Sequence, residues 1–346
     1  MTKAVAMTKD SATELTPGLT RRLTEGTPTR RTLLKGGVGG VAALALGATA
    51  VAVAGSAVDA PAAGAANAPQ QDCSVRYLGY QGSDWSQPYA SFFAGRTRPP
   101  QPQITAAFAG PATPTDQVPL FSTLPDEMNS SGYSAVETGY GMASDGTAWA
   151  AALTTMPGVS AAMWDWWFGW HSTESARYKL WHPDAHAYAS LHADYRGNPF
   201  LTDRQRYVGN TTYVDEYIGP YLEQLAIEFQ PPTDHGIKVP NGSTVIYGRV
   251  GSSVLPVDLG YLCHQVRPIP GGVEMRSRFF LNKPGLHLPD PGQTVCAVER
   301  GAQHTLDAPL PFNATFAADL MQHCGAEMNH LANILPQLYR NFRTLP

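Results

Sequence analysis

A histidine and a glutamate lie four residues apart near the end of the sequence, at His323 and Glu327. Side chains at this spacing share one face of an α-helix, and residues 313–342 have the pattern of a long amphipathic helix that Asn313 caps. Both side chains fall within its apolar stripe, which comprises Phe316, Leu320, Cys324, Leu331, Ile334 and Leu338. A carboxylate on a buried face requires a cation, a hydrogen-bond network or a metal ion. The pair therefore indicates either a metal site or a satisfied polar cluster.

Ionisable side chains also occur in three other segments rich in apolar and aromatic residues. His182 and His186 follow Tyr178, but a proline between the two histidines favours a turn, so we expect only one of them to be a ligand. Glu216 lies among apolar residues, and His264 lies in a predicted buried strand. These residues are candidates for acid-base or metal chemistry, although a single histidine in a strand, such as His264, is more often structural.

The composition is that of a folded, weakly acidic protein. The chain has 346 residues, of which 43% are hydrophobic and 15% charged, and its formal net charge is -4. This composition excludes a disordered or fibrous chain, and the absence of a basic excess argues against a nucleic-acid partner. We expect a small or neutral ligand.

The elements that must position these side chains can be read from the sequence pattern. Strands are predicted at residues 243–248, 258–267 and 272–282. In the last of these, Glu274, Arg276 and Arg278 alternate with less polar residues, which predicts a sheet with one solvent-exposed face. The final helix contains Pro336, which we expect to bend or interrupt it.

Three regions are predicted along the chain. Residues 1–68 form a leader, residues 69–145 form a Pro/Gly-rich N-terminal subdomain with little regular structure, and residues 146–346 form the main domain. A run of tryptophans from Trp164 to Trp170 begins the predicted core. The composition of the subdomain fits a homodimer contact and a lid equally well.

The leader resembles a twin-arginine export signal. Arg30 and Arg31 precede a weakly hydrophobic, Gly/Ala-rich stretch from Gly36 to Val58, which favours a cleaved signal over a permanent membrane anchor. Cleavage after residue 65 or 68 would release the protein to the periplasm, cell wall or extracellular space.

All four cysteines follow the leader, in a compartment where disulfides persist. Cys263 and Cys324 are expected to be buried thiols. Whether Cys73 pairs with Cys296 is open at this stage.

Several motifs taken together resemble the 2,4-diacetylphloroglucinol hydrolase family, to which phloretin hydrolases belong. The resemblance covers roughly residues 150–340 and rests on Trp164, Tyr178, Trp181, Pro183, His186, residues 213–219, His264, residues 274–280, His323 and Glu327. It implies an α+β, helix-grip (Bet v 1-like) catalytic domain, in which an antiparallel sheet surrounds a long C-terminal helix. Strands followed by one long amphipathic helix are consistent with that fold.

The resemblance also implies a zinc ion held by His186, Glu216, His323 and Glu327. Catalytic zinc usually keeps an open position, so we expect either that the metal expands to five-coordination or that one carboxylate gives way. Glu216 is the expected labile ligand, and it would then carry a proton.

The implied reaction is hydrolysis of the carbon-carbon bond between a phenolic ring and an acyl group, which releases a carboxylic acid. Tyr178 would hydrogen-bond the substrate oxygen, and His264 would exchange a proton with a ring hydroxyl. Asp194 is a weaker candidate for orienting a histidine or water.

The sequence departs from the family pattern at Ala189 and Phe279, where polar substrate contacts are expected. A different acylphenol, or a less hydroxylated aryl ketone, is therefore the expected substrate. Two alternatives remain: a helix-grip protein that binds a phenolic ligand without chemistry, and a zinc hydrolase of esters or amides. A purely structural protein would leave the ionisable groups on the buried helix face without a purpose.

Overall fold

Eight strands form one antiparallel sheet in the part of the chain described by the computed structural model, residues 73–301 and 310–344. The strand order is β1-β2-β8-β7-β6-β5-β4-β3. The strands are β1 Gly139–Met142, β2 Ala148–Pro157, β3 His186–Leu191, β4 Thr211–Ile218, β5 Tyr221–Gln230, β6 Thr244–Ser252, β7 Asp258–Ile269 and β8 Gly272–Leu281. The three strands predicted from the sequence correspond to β6, β7 and β8 and are confirmed.

Seven α-helices accompany the sheet within the described residues. They are α1 Pro102–Ala109, α2 Leu124–Asn129, α3 Ala161–Trp170, α4 Ser175–Lys179, α5 Asp203–Tyr207, α6 Pro291–Gly301 and α7 Ala314–Phe342. In this part of the chain, no helix is both long enough and apolar enough to cross a membrane. The predicted export signal lies outside the described residues.

The long C-terminal helix α7 begins and ends where the sequence predicts. The Asn313 side chain caps it by accepting a hydrogen bond from the Phe316 N–H at 3.0 Å. The helix continues through Pro336, so the predicted interruption does not occur. Leu335 and Leu338 are fully buried on either side of the proline, and their packing offsets the one backbone hydrogen bond that proline cannot make.

The main hydrophobic core lies between α7, α3 and one face of the sheet. The four tryptophans of α3 are all buried in this core, as the sequence predicts. These are Trp164, Trp166, Trp167 and Trp170. The combination of an antiparallel sheet with a long C-terminal helix confirms the α+β class.

The opposite face of the sheet is also covered, which corrects the prediction of a solvent-exposed face. Arg276 and Arg278 of β8 have no exposed surface, because α2 and the segment after it pack over them. Arg278 pairs with Glu127 at 2.6 Å and with Glu137 at 2.7 Å, and Arg276 also pairs with Glu137 at 2.7 Å. The alternation shows that this face is polar but not that another part of the chain neutralises it.

A disulfide joins Cys73 to Cys296 of α6, across a sequence separation of 223 residues. It ties the beginning of the described chain to the helix that follows the sheet. Cys263 and Cys324 are free and buried, as expected.

Glu137 provides a test of the buried ion-pair cluster. Burial opposes its ionisation, but the hydrogen bond from Arg276 and the charge of Arg278 lower the pKa of Glu137 to about 2. We expect Glu137→Gln to reduce the free energy of unfolding at pH 7 by about 3 kcal/mol, because it leaves buried arginines without a partner. Urea denaturation of both proteins measures this difference.

The loss should shrink as the pH falls from about 4.5 towards 2, because the wild-type carboxylate is then protonated as well. Glu228→Gln is the matched control, since the Glu228 side chain is 35% exposed in its pair with Arg249. We expect it to cost less than about 1 kcal/mol. Equal losses for the two variants would contradict this account of the cluster.

Candidate metal centre

Three elements bring two histidines and two glutamates to one place. His186 is the first residue of β3, and its register partner on β4 is Glu216. His323 and Glu327 lie one turn apart on α7, which packs against β4. All four predicted metal ligands therefore meet between the sheet and the C-terminal helix.

Donor atoms of three residues, His186, Glu216 and His323, all lie within 4.8 Å of one another and could hold a metal ion, and Glu327 lies beside both histidines. His186 Nε2 lies 3.4 Å from Glu327 Oε2 and 3.5 Å from Glu216 Oε2. His323 Nε2 lies 3.8 Å and 4.0 Å from the same two oxygens. A tetrahedral zinc ion with bonds of about 2.0–2.2 Å separates its ligand atoms by roughly 3.3–3.6 Å. The two distances from His186 fall within this range, and the two from His323 are slightly longer.

The hydrogen bonding of His186 presents a lone pair to this cluster. Its Nδ1 lies 3.0 Å from the Tyr178 carbonyl oxygen, so Nδ1 carries the proton and Nε2 does not. Nε2 is buried and has no hydrogen-bond partner among the described residues. A metal ion would supply the partner that this buried nitrogen otherwise lacks.

Burial sets the protonation of the cluster. It lowers the pKa of His186 well below its usual value and also lowers the pKa of His323, so both imidazoles are neutral, as metal ligands must be. Burial, together with the charge of Glu216, raises the pKa of Glu327 well above its usual value. A divalent cation would relieve this repulsion. Imidazole nitrogens with carboxylate oxygens are a donor set that fits Zn²⁺.

A buried chamber adjoins the cluster. Its wall is mostly aromatic and aliphatic and is formed by α3, α4, β4, β5, β7, β8 and α7. The lining residues are Phe168, His171, Tyr178, Trp181, Thr212, Val214, Glu216, Ile227, Phe229, Leu262, His264, Phe279, Leu320, His323 and Glu327. A ligand in this chamber would contact three of the four candidate metal ligands.

Tyr178 and His264 provide two further polar groups in the chamber. The Tyr178 hydroxyl donates a hydrogen bond to Glu216 Oε2, and its ring stacks on His186 with centroids 3.7 Å apart. Burial, then the charge of Glu216, raises the pKa of Tyr178 well above its usual value, so the hydroxyl stays protonated. His264 Nδ1 lies 2.8 Å from the hydroxyl oxygen of Ser277, its register partner on β8. Burial lowers the pKa of His264 to about 3 and keeps it neutral.

The structure does not bring Asp194 to the chamber. Asp194 accepts hydrogen bonds from the Arg196 backbone at 2.8 Å and from Arg196 Nε at 2.7 Å. It is absent from the described residues that line the chamber. Its observed partners support a role in fixing the turn after β3 and give no support for orienting a histidine or water.

Of the two positions that depart from the family pattern, only Phe279 lines the chamber. Ala189 is buried within β3, where its N–H bonds the Ser175 hydroxyl at 3.1 Å. Phe279 therefore contributes an apolar wall where a polar contact was expected.

Sequence reasoning missed two histidine contacts near the site. His182 is not a member of the ligand cluster, but its ring stacks on His323 with centroids 4.8 Å apart, and its Nδ1 lies 2.8 Å from the Thr97 hydroxyl. His171 lines the chamber, and its Nδ1 bonds the Trp167 carbonyl at 2.7 Å. The sequence contains a signal for the His171 contact, because His171 follows Trp167 by four residues at the end of the aromatic run.

The fold and the site together define a class of protein: an α+β protein whose sheet and C-terminal helix enclose a buried centre of two histidines and two glutamates. The chain belongs to the DAPG hydrolase family, since the model of the DAPG hydrolase PhiG domain matches residues 121–340. The family expected from the sequence motifs is thereby confirmed.

Two characterised relatives are hydrolases. A 2,4-diacetylphloroglucinol hydrolase from Pseudomonas sp is 28% identical over 277 residues, which cover 78% of this chain and 92% of that protein. A phloretin hydrolase from Eubacterium ramulus is 34% identical over 209 residues, which cover 58% of this chain and 70% of that protein. A solved norcoclaurine synthase from Thalictrum aligns with 53% of this chain and 98% of that chain at 16% identity, with a TM-score of 0.24.

Removing one ligand tests whether the cluster binds metal. We expect wild-type protein supplied with zinc to contain about one ion per chain, and His323→Ala to weaken zinc binding by at least about 100-fold. Elemental analysis after dialysis measures the content. His235→Ala is the matched control, because His235 bonds Gln230 outside the cluster. Equal zinc contents in the wild type and His323→Ala would refute the site.

Proposed function

We propose that the protein is a zinc-dependent hydrolase that cleaves the carbon-carbon bond between a phenolic ring and an acyl group. The observation that carries this proposal is the convergence of His186, Glu216, His323 and Glu327 beside an apolar chamber. The names of the two relatives, a 2,4-diacetylphloroglucinol hydrolase and a phloretin hydrolase, support a phenolic ketone as the substrate class. We also propose that the sheet and α7 constitute a helix-grip, Bet v 1-like domain.

In the proposed reaction, the oxygen of water bonds to the acyl carbon and the bond from that carbon to the ring breaks. The ring carbon retains the electron pair and receives a proton, so the products are a carboxylic acid and the deacylated phenol. A hydroxyl ortho or para to that carbon stabilises the developing charge through its keto tautomer. The protein must therefore move protons at two places, the ring hydroxyl and the ring carbon.

The residues of the chamber fit these two tasks. His264 lines the chamber, where its neutral imidazole can accept a hydrogen bond from a ring hydroxyl and exchange a proton with it. Tyr178 is a protonated donor that can hydrogen-bond the substrate oxygen. Bound Zn²⁺ supplies positive charge, which polarises a carbonyl or makes water more acidic.

Glu216 is the ligand that we propose gives way during turnover. Four protein ligands close a tetrahedral site, whereas catalytic zinc needs an open position. The Tyr178 hydroxyl already bonds Glu216 Oε2, the atom that lies 3.5 Å from His186 Nε2, and offers it an alternative partner. A carboxylate released in this way can accept a proton from water and deliver it to the ring carbon.

Glu216→Gln tests the proposed role together with the reaction. We expect the wild-type protein, loaded with zinc, to hydrolyse an acylphloroglucinol to the acid and phloroglucinol. Glu216→Gln should lower kcat by about 10²–10⁴ because it cannot carry a proton, while Glu327→Gln should lose zinc as well. Product formation is followed by chromatography, and zinc is measured in the same samples.

The outcomes separate the competing functions. Full turnover and full zinc content in Glu216→Gln would exclude the role of Glu216. Cleavage of aryl esters but not of aryl ketones by the wild type would indicate an ester hydrolase, and ligand binding without turnover would indicate a binding protein.

We further propose that residues 1–68 direct export through the twin-arginine pathway. The disulfide between Cys73 and Cys296 supports an oxidising destination. Replacing Arg30 and Arg31 with lysine should retain the protein in the cytoplasm with its leader uncleaved, because the arginine pair is the recognition element of such signals. Cell fractionation and the mass of the isolated chain measure this.

The same double replacement at Arg21 and Arg22 is the matched control, since that pair does not directly precede the apolar stretch. We expect it to leave export intact. Export that survives the loss of Arg30 and Arg31 would contradict the proposal.

A further inference from the structure

A second cavity lies between the sheet and the first turns of α7. Strands β4 to β8 and the segment entering α7 form its wall. The lining residues are Glu216, Ile218, Glu223, Leu225, Ile227, Val250, Leu259, Leu262, Phe279, Leu281, Phe312, Phe316 and Leu320. We call this cavity the annex. Apart from the two glutamates, every described residue of its wall is apolar.

The annex and the catalytic chamber are neighbours with a common wall. Five residues line both cavities: Glu216, Ile227, Leu262, Phe279 and Leu320. Tyr178, His264, His323 and Glu327 line the chamber alone. The polar groups suited to a phenol therefore lie on one side of Glu216, and an apolar space lies on the other.

We propose that the annex binds the acyl group of the substrate and selects for acyl chains longer than acetyl. This inference rests on the proposed function, which places the bond to be cleaved beside Glu216. The phenolic ring belongs on the side of Tyr178 and His264, where its hydroxyls find hydrogen-bond partners. The acyl chain then extends past Glu216 into the annex, where aliphatic side chains replace water around it.

The size of the annex sets the expected chain length. Its cavity volume is about 60 Å³. On this measure a cavity needs roughly 10–15 Å³ to hold one water molecule, and a methylene group is close to water in size. The annex therefore has room for at least two methylene groups beyond an acetyl group, which corresponds to a butanoyl chain.

The experiment compares 2,4,6-trihydroxyphenyl ketones that carry acetyl, propanoyl and butanoyl groups. Burial of each methylene should raise kcat/KM about fourfold, so the butanoyl compound should exceed the acetyl compound by about tenfold or more. Calorimetry on the Glu216→Gln protein gives the Kd of the same compounds when hydrolysis is blocked. We expect Kd to tighten in the same order.

Val250→Phe tests the location of the chain. Val250 lines the annex but not the chamber, and a phenyl ring there would fill the cavity. The ratio of kcat/KM for butanoyl over acetyl should fall to near one. Leu259→Phe, from the neighbouring strand β7, makes the same test should the first variant fail to fold.

Val245→Phe is the matched control for strain in the core. Val245 lies on the same strand but packs in the hydrophobic cluster on the opposite face of the sheet. It should leave the butanoyl-to-acetyl ratio at the wild-type value. A ratio that falls equally in the Val245 and Val250 variants would overturn the assignment.

The outcomes for the annex and for the proposed reaction are distinct. Hydrolysis of all three ketones with equal kcat/KM and equal Kd would overturn the annex while leaving the reaction intact. If no ketone is hydrolysed but Kd still tightens with chain length in the wild type and not in Val250→Phe, the annex is supported and the reaction is not.

Discussion

The structure depends on the burial of two carboxylates and two imidazoles at one point between β4 and α7. Two carboxylates this close repel each other, and burial penalises the charge of each. The pKa of Glu327 is accordingly raised, and the two imidazoles stay neutral and cannot balance the charge. A fold that keeps such a group of side chains needs a cation at the centre or protons on the acids. The first solution also satisfies the buried Nε2 of His186.

Positioning these groups requires a sheet that does not deform. Two of the four ligands are register partners on β3 and β4, and the other two are on α7, so a slip of either element would separate the donors. Burial of both faces of the sheet opposes such a slip. On one face, α7 and the tryptophans of α3 pack in the main core. On the other face, Arg276 and Arg278 are held by Glu127 and Glu137, which fixes the segment before β1 against β8.

Local sequence patterns predicted the features that depend on residues close together in the chain. The spacing of four residues placed His323 and Glu327 together, and alternation located β8. The patterns could not show which distant segment covers a given face. The sequence therefore predicted that Arg276 and Arg278 are exposed. Their partner Glu137 lies 139 and 141 residues away in the chain, which is too far for a local pattern to show the pairing. Pairing of Cys73 with Cys296 and the placement of Asp194 beside Arg196 also depend on the tertiary fold. Recognition of His186 and Glu216 as partners of the helical pair came from the combined motifs and not from any single spacing.

Asp215 and Glu216 are adjacent in β4 and place their carboxylates on opposite faces of the sheet. Because neighbouring residues in a strand point to opposite sides, Glu216 faces the chamber while Asp215 faces away from it. Asp215 is fully buried, and it accepts hydrogen bonds from Arg76 at 3.1 Å and from Arg300 at 3.0 Å. These arginines neutralise the charge of Asp215, which would otherwise add to that of Glu216 one residue away.

The disulfide acts on this same pair of arginines. Cys73 lies three residues before Arg76, and Cys296 lies one helical turn before Arg300 in α6. The bond between the cysteines thus joins the two segments that neutralise Asp215. The disulfide in this way helps to hold both arginines against Asp215. Asp215 is next to Glu216 in β4, and Glu216 points into the metal centre. The disulfide and the electrostatics of the site therefore act on the same strand.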